Sequence, residues 1–153
     1  MQQNLPAIEV ETGDNPQYAV IWLHGLGADG SDFVPVVPEL GLADAPGVRF
    51  IFPHAPEIPV TCNGGYVMRA WYDIVALDSS SREIDEAGIV RSREAVRHLI
   101  ARENLRGIPC ARIILAGFSQ GGAVAYLTTL THDEPLAGVA LSAEAHPGPA
   151  GGT

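Results

Sequence analysis

At 153 residues and 16.2 kDa, the chain has the length of one ordinary domain. Its apolar fraction of 46% and charged fraction of 18% match soluble globular proteins, which excludes wholesale disorder despite 17 Gly and 12 Pro. Eighteen acidic residues oppose nine basic ones, all arginine, and the resulting charge of −9 argues against nucleic-acid partners and anionic membrane surfaces.

The opening Met1-Gln-Gln-Asn-Leu-Pro6 has no basic residue followed by an apolar run, so no secretory leader is expected. No stretch approaches the roughly 20 apolar residues of a membrane helix. Cys62 and Cys110 lie outside any C-x-x-C or metal-type spacing, as expected of free thiols in a cytoplasmic protein. Ile8–Glu11 fits a short antiparallel edge strand. Tyr18-Ala-Val-Ile-Trp-Leu23 is a continuous apolar run, the pattern of a strand buried on both faces. A turn from Gly25 to Gly30 leads to a short helix through Leu40, capped by Ser31 or Asp32 and limited by Pro35 and Pro38.

Val48–Phe52 is a second strand. From Pro53 to Asp78 periodicity vanishes, and Tyr66, Trp71 and Tyr72 predict a packed loop. Ser80-Ser-Arg-Glu83 forms a capping box for a helix reaching about Asn104, with Ile89, Val96, Leu99 and Ile100 on its apolar face and Gly107 as its stop. Arg112–Ala116 is a third strand, followed by a helix to about Thr131 and a fourth strand over Leu136–Leu141. Strands alternating with helices imply right-handed crossovers, hence a single α/β domain over residues 1–153 with an open, mostly parallel sheet.

Between the third strand and its helix stands Gly117-Phe118-Ser119-Gln120-Gly121, a G-x-S-x-G motif in strand-to-helix context. A nucleophilic serine here needs a sharp turn that lifts its hydroxyl above the sheet, and glycines two residues away leave room for that turn. The helix beginning there aims unpaired amides at a developing oxyanion, that of Gln120 first. The Gly-rich turn after the first strong strand offers a second donor, the amide of Leu26. The same turn also satisfies G-x-G-x-x-G over Gly25–Gly30, the dinucleotide pattern. That alternative lacks an acidic residue closing the second strand, which ends Phe52-Pro53-His54, and its helix is broken by prolines.

His24-Gly-Leu-Gly27, Asn63-Gly-Gly65, Trp71-Tyr-Asp73 and Gly117-Phe-Ser-Gln-Gly-Gly122, in this order from Val20 to Ser142, resemble the small carboxylesterases related to acyl-protein thioesterases and lysophospholipases. The resemblance implies an α/β-hydrolase-type fold and hydrolysis of small-molecule carboxylic esters or thioesters, with no metal and no organic cofactor. It implies Ser119 as nucleophile and Leu26 and Gln120 as backbone oxyanion donors, with Met68 and Trp71 bordering the acyl groove.

A serine needs a base, and the base an orienting carboxylate. After Ser119 the sequence offers His132, Asp133, Glu134, Glu144 and His146. His132 and Asp133 fall at the far end of the helix, and no carboxylate follows His146. His54 and His98 fit structural roles. The resemblance places the acid and base on segments beyond Thr153, so the chain is expected to represent the N-terminal two-thirds of such a domain, incomplete at its C-terminal end. A sheet ending there leaves an edge open to self-association. The rival expectation is a non-catalytic, self-associating fragment that keeps the fold but not the reaction.

Overall fold

A computed structural model describes residues 4–74 and 85–142. Five strands form one sheet in the order β1-β3-β2-β6-β7: β1 (Ala7–Glu11), β2 (Tyr18–Leu23), β3 (Val48–Pro53), β6 (Ile113–Phe118) and β7 (Gly138–Ser142). β1 runs antiparallel to β3 at one edge, as its sequence predicts, and the other pairings are parallel. The fold class is therefore the α/β arrangement expected. Parallel pairing puts the carboxyl ends of β2 and β6 side by side, with Leu23 opposite Gly117. The two motif-bearing loops thus leave the sheet together, which is the topological basis of the site.

β2 shows why the sheet has two unlike faces. Ala19, Ile21 and Leu23 are fully buried against α1 (Glu86–Leu105) and α2 (Gln120–Thr131), in a core with Val96, Leu99, Ile100, Leu115 and Val124. Val20 and Trp22 face the other way and are only half-buried among the described residues. Their cover is a smaller cluster in which Trp22 stacks on Phe33 at 5.1 Å and on Phe52 at 5.9 Å. The expectation of burial on both faces is corrected to burial on one.

The segment after the first Gly-rich turn is a 3₁₀ helix, Gly30–Leu40, rather than an α-helix. Pro35 and Pro38 each lack an amide proton, which disfavours regular α-helical bonding. Its cap is Asp29, whose carboxylate accepts from the Ser31 amide at 2.7 Å, and neither Ser31 nor Asp32 fills that role. The segment predicted as an irregular loop contains a hairpin, β4 (Glu57–Val60) and β5 (Tyr66–Arg69), turned by Gly64 and Gly65 at φ 68° and 80°. Below it Asp73 accepts from Thr61 at both amide and hydroxyl, and those bonds hold its carboxyl below the usual range.

The capping box at Ser80–Glu83 lies outside the described residues. The described helix α1 is capped by Asp85, which accepts from Gly88 N at 3.0 Å, and Gly107 (φ 99°) follows its end. α1 buries Val96, Leu99 and Ile100 as its periodicity predicts, and also Glu103, which is fully buried. Glu103 takes Arg49 of β3 at 2.5 Å and Arg106 at 2.8 Å; Arg49 continues to Glu11 and Arg106 to Glu9. This chain of ion pairs fastens α1 to the antiparallel edge. Cys62 is half-buried and Cys110 buried, both free thiols, and burial pushes the Cys110 thiol up. Among the described residues no helix is long and apolar enough to cross a membrane.

Candidate active site

β6 ends and α2 begins at Ser119, with φ 55° and ψ −115°, the one non-glycine residue at positive φ among those described. Such a conformation is costly for a residue with a Cβ and persists only where its surroundings impose it. They do so on both sides. The Ser119 amide donates to Ser142 O of β7 at 2.9 Å, and its carbonyl accepts from Ala123 at 3.2 Å. A side chain at Gly117 would collide with the backbone of Gly121 and Gly122, and one at Gly121 with the carbonyls of Leu23 and His24. The glycines therefore permit close approach of three main-chain segments. The Ser119 side chain is exposed and makes no capping bond, and its hydroxyl has no hydrogen-bond partner among the described residues.

Two amides border it. The neighbours of Leu26 are engaged: Gly27 N donates to Arg69 O at 2.8 Å and Ala28 N to Gly25 O at 3.2 Å. Leu26 N finds no acceptor among the described residues. Neither does Gln120 N, in the first turn of α2, where amides have no intrahelical partner. Leu26, Ser119 and Gln120 line one cleft of about 340 Å³, together with Gly25, Ala28, Asp32, Ile74 and Phe118. A second cleft of about 390 Å³ is also lined by Ser119, with Tyr126, Leu141 and Ser142. Chemically, the cleft brings together an exposed hydroxyl and two backbone amides, the group types that acyl transfer draws on.

The two residues expected along the groove part company. Met68, half-buried on β5, lies beside the Leu26 loop, its sulfur 3.8 Å from where a Cβ on Gly27 would stand. Trp71 is only 1% exposed, packs in the core and is not among the residues lining the Ser119 cleft. Its ring lies 5.2 Å from that of His24, and its indole N–H donates to His24 O at 2.8 Å.

Sequence reasoning missed two side chains here. His24 is 1% exposed, accepts from Ala55 N at Nε2 (3.0 Å) and donates from Nδ1 to Gly25 O (2.7 Å). Burial holds its pKa below the ordinary histidine value. The Gln120 side chain is buried as well, accepting from Trp71 N at 2.6 Å and donating to Tyr72 O at 2.8 Å. Both residues stand in recognisable motifs, but a linear pattern carries no sign of which way their side chains turn.

No described imidazole bonds to Ser119. His54 accepts from Gly30 N at 3.0 Å, and His98 bonds to Glu94 O at 2.8 Å. His132 closes α2 at the end opposite Ser119, 3.7 Å from the Cys110 sulfur, while Asp133 pairs with Arg97. Glu144 and His146 lie outside the described residues. For the dinucleotide alternative, the turn at Gly25–Gly30 opens a 3₁₀ helix, without the α-helical amino terminus that cradles pyrophosphate.

The profile of the phospholipase/carboxylesterase family matches residues 5–148. Acyl-protein thioesterase 1 of Cryptococcus neoformans is 42% identical over 141 residues, 91% of this chain and 59% of that protein. Acyl-protein thioesterase 1 of Mycosarcoma maydis is also 42% identical, over 87% of this chain and 59% of its own length. The chain thus spans about 59% of the curated relatives it matches. Among solved structures, Arabidopsis thaliana SOBER1 superposes with a TM-score of 0.74 at 32% identity, covering 80% of this chain and 59% of that one. Zea mays acyl-protein thioesterase 2 does so at 0.68 and 28%, covering 82% and 51%.

Proposed function

The chain belongs to the phospholipase/carboxylesterase family, and on that premise we propose that it carries the acyl-accepting half of a carboxylic ester or thioester hydrolase. Ser119 Oγ attacks the acyl carbon of a small-molecule ester or thioester, the Leu26 and Gln120 amides take the oxyanion, and the alcohol or thiol leaves carrying the proton that the hydroxyl gives up as the acyl-serine forms. Water then attacks the acyl-serine and releases the acid. No metal or organic cofactor enters these steps, and a nucleic-acid partner is not expected of a chain this acidic. Its free thiols fit a cytoplasmic location.

The observation carrying this reading is the exposed hydroxyl on a positive-φ turn, in one cleft with two amides that have no acceptor among the described residues. Since no described imidazole stands at Ser119, the reading assigns the base and its orienting carboxylate to residues outside those described. The described residues then supply the nucleophile and the oxyanion donors, and acylation of a serine with no base among them is slow. Hydrolysis of a chromogenic short-chain ester tests this beside Ser119→Ala: slow release that disappears in the variant is expected. Equal rates in the two proteins contradict it.

A second reading is non-catalytic self-association, favoured by the apolar side chains exposed around β7: Leu141 at 51%, Tyr126 at 49% and Leu130 at 63%. Light scattering separates the two, because a strictly monomeric chain excludes association.

A further inference from the structure

The two amides assigned to the oxyanion, those of Leu26 and Gln120, stand 94 residues apart in sequence, and a misplacement of about 1 Å costs on the order of 10²-fold in rate. Something must fix their spacing. We infer that the buried side chains of Gln120, Trp71 and His24 form a brace that sets the Leu26 amide relative to the Gln120 amide; this rests on the oxyanion reading above.

The links run from main chain to main chain. The Gln120 side chain, next to the nucleophile, turns away from the cleft and grips both Trp71 N (2.6 Å) and Tyr72 O (2.8 Å). From there the Trp71 indole N–H reaches His24 O at 2.8 Å. In His24, Nε2 accepts from Ala55 N, so the proton resides on Nδ1 and donates to Gly25 O. That last bond aims the donor. Gly25 C=O and Leu26 N–H share one planar trans peptide and point in opposite directions, so holding the carbonyl orients the amide. The three residues are 4%, 1% and 1% exposed. Apolar side chains of similar size would fill that space, but only directional bonds specify the angle of a peptide plane. Gln120 and Trp71 are thus positioning residues, and Trp71 acts on the site without lining it.

The test is amide NMR on the full chain before and after a fluorophosphonate is attached to Ser119, whose phosphoryl oxygen occupies the oxyanion position. In the unsubstituted chain both the Leu26 amide and the residue-120 amide should move downfield on labelling. Gln120→Met and Trp71→Phe leave both backbone donors present. In each, the residue-120 amide should still respond while the Leu26 response is lost, a split that general destabilisation does not produce. A Leu26 response of unsubstituted size in both variants overturns the brace, and either variant suffices should the other fail to fold. If neither amide responds in the unsubstituted chain, the oxyanion reading itself fails. The brace is then judged on the unlabelled protein: a Leu26 amide unmoved by Gln120→Met overturns it, and a displaced one supports it.

Discussion

Ser119 is held at φ 55° and ψ −115°, a region that residues with a Cβ avoid, and this has a measurable consequence for stability. Comparing Ser119→Gly with Ser119→Ala isolates it. Both substitutions delete the hydroxyl, and because that hydroxyl makes no capping bond neither loses a cap. Alanine keeps the Cβ strain, about 2 kcal/mol within a usual range of 1–3. Glycine releases it and forfeits about 0.5–1 kcal/mol of chain entropy. The glycine variant should therefore be the more stable by about 1 kcal/mol, reversing the order seen in ordinary helices. For a chain of this length that corresponds to roughly 2–4 °C in Tm. Urea and thermal unfolding of the two variants, followed by circular dichroism, measure the difference. An alanine variant as stable as the glycine variant, or more so, refutes a strained turn at the nucleophile.

Glu103→Gln removes the charge that Arg49 and Arg106 share inside the protein; we expect a loss of about 3 kcal/mol, read as a lower urea midpoint, with Glu11 still partnering Arg49. The depressed pKa of His24 makes a pH prediction. Its folded form resists protonation, so its contribution is complete above the ordinary value of about 6.5 and is lost as pH falls below that value toward the folded pKa. Tm should thus decline from about pH 7 downward, less steeply in His24→Gln. Glu9, held low mainly by its bond to Arg106, adds a separate loss at more acid pH, as the carboxylate range is crossed. A Tm profile near pH 6 that His24→Gln leaves unaltered contradicts the assignment.

Where the sequence was legible, one physical signal dominated its segment. The apolar run Tyr18–Leu23 coincides with β2, and G-x-S-x-G fell between β6 and α2 because its glycines answer to backbone collisions. The hairpin at Glu57–Arg69 escaped notice because its strands are four residues each and one contains Pro59, too short for alternation to emerge. Burial of Glu103 was equally hidden: on a helix it resembles a solvated charge until Arg49 and Arg106 are seen to surround it. Within the site, backbone donors follow from motif position alone. The inward turn of Trp71, by contrast, depends on a hydrogen bond to His24, 47 residues away in sequence.

Whether Ser119 offers an exposed, acylatable hydroxyl is measured most directly by intact mass after prolonged incubation with excess fluorophosphonate. With no base among the described residues, a single adduct should form slowly, mapped to Ser119 by peptide digestion and absent from Ser119→Ala. Failure of the unsubstituted chain to form an adduct, or equal labelling of Ser119→Ala, would contradict the assignment of Ser119 as nucleophile.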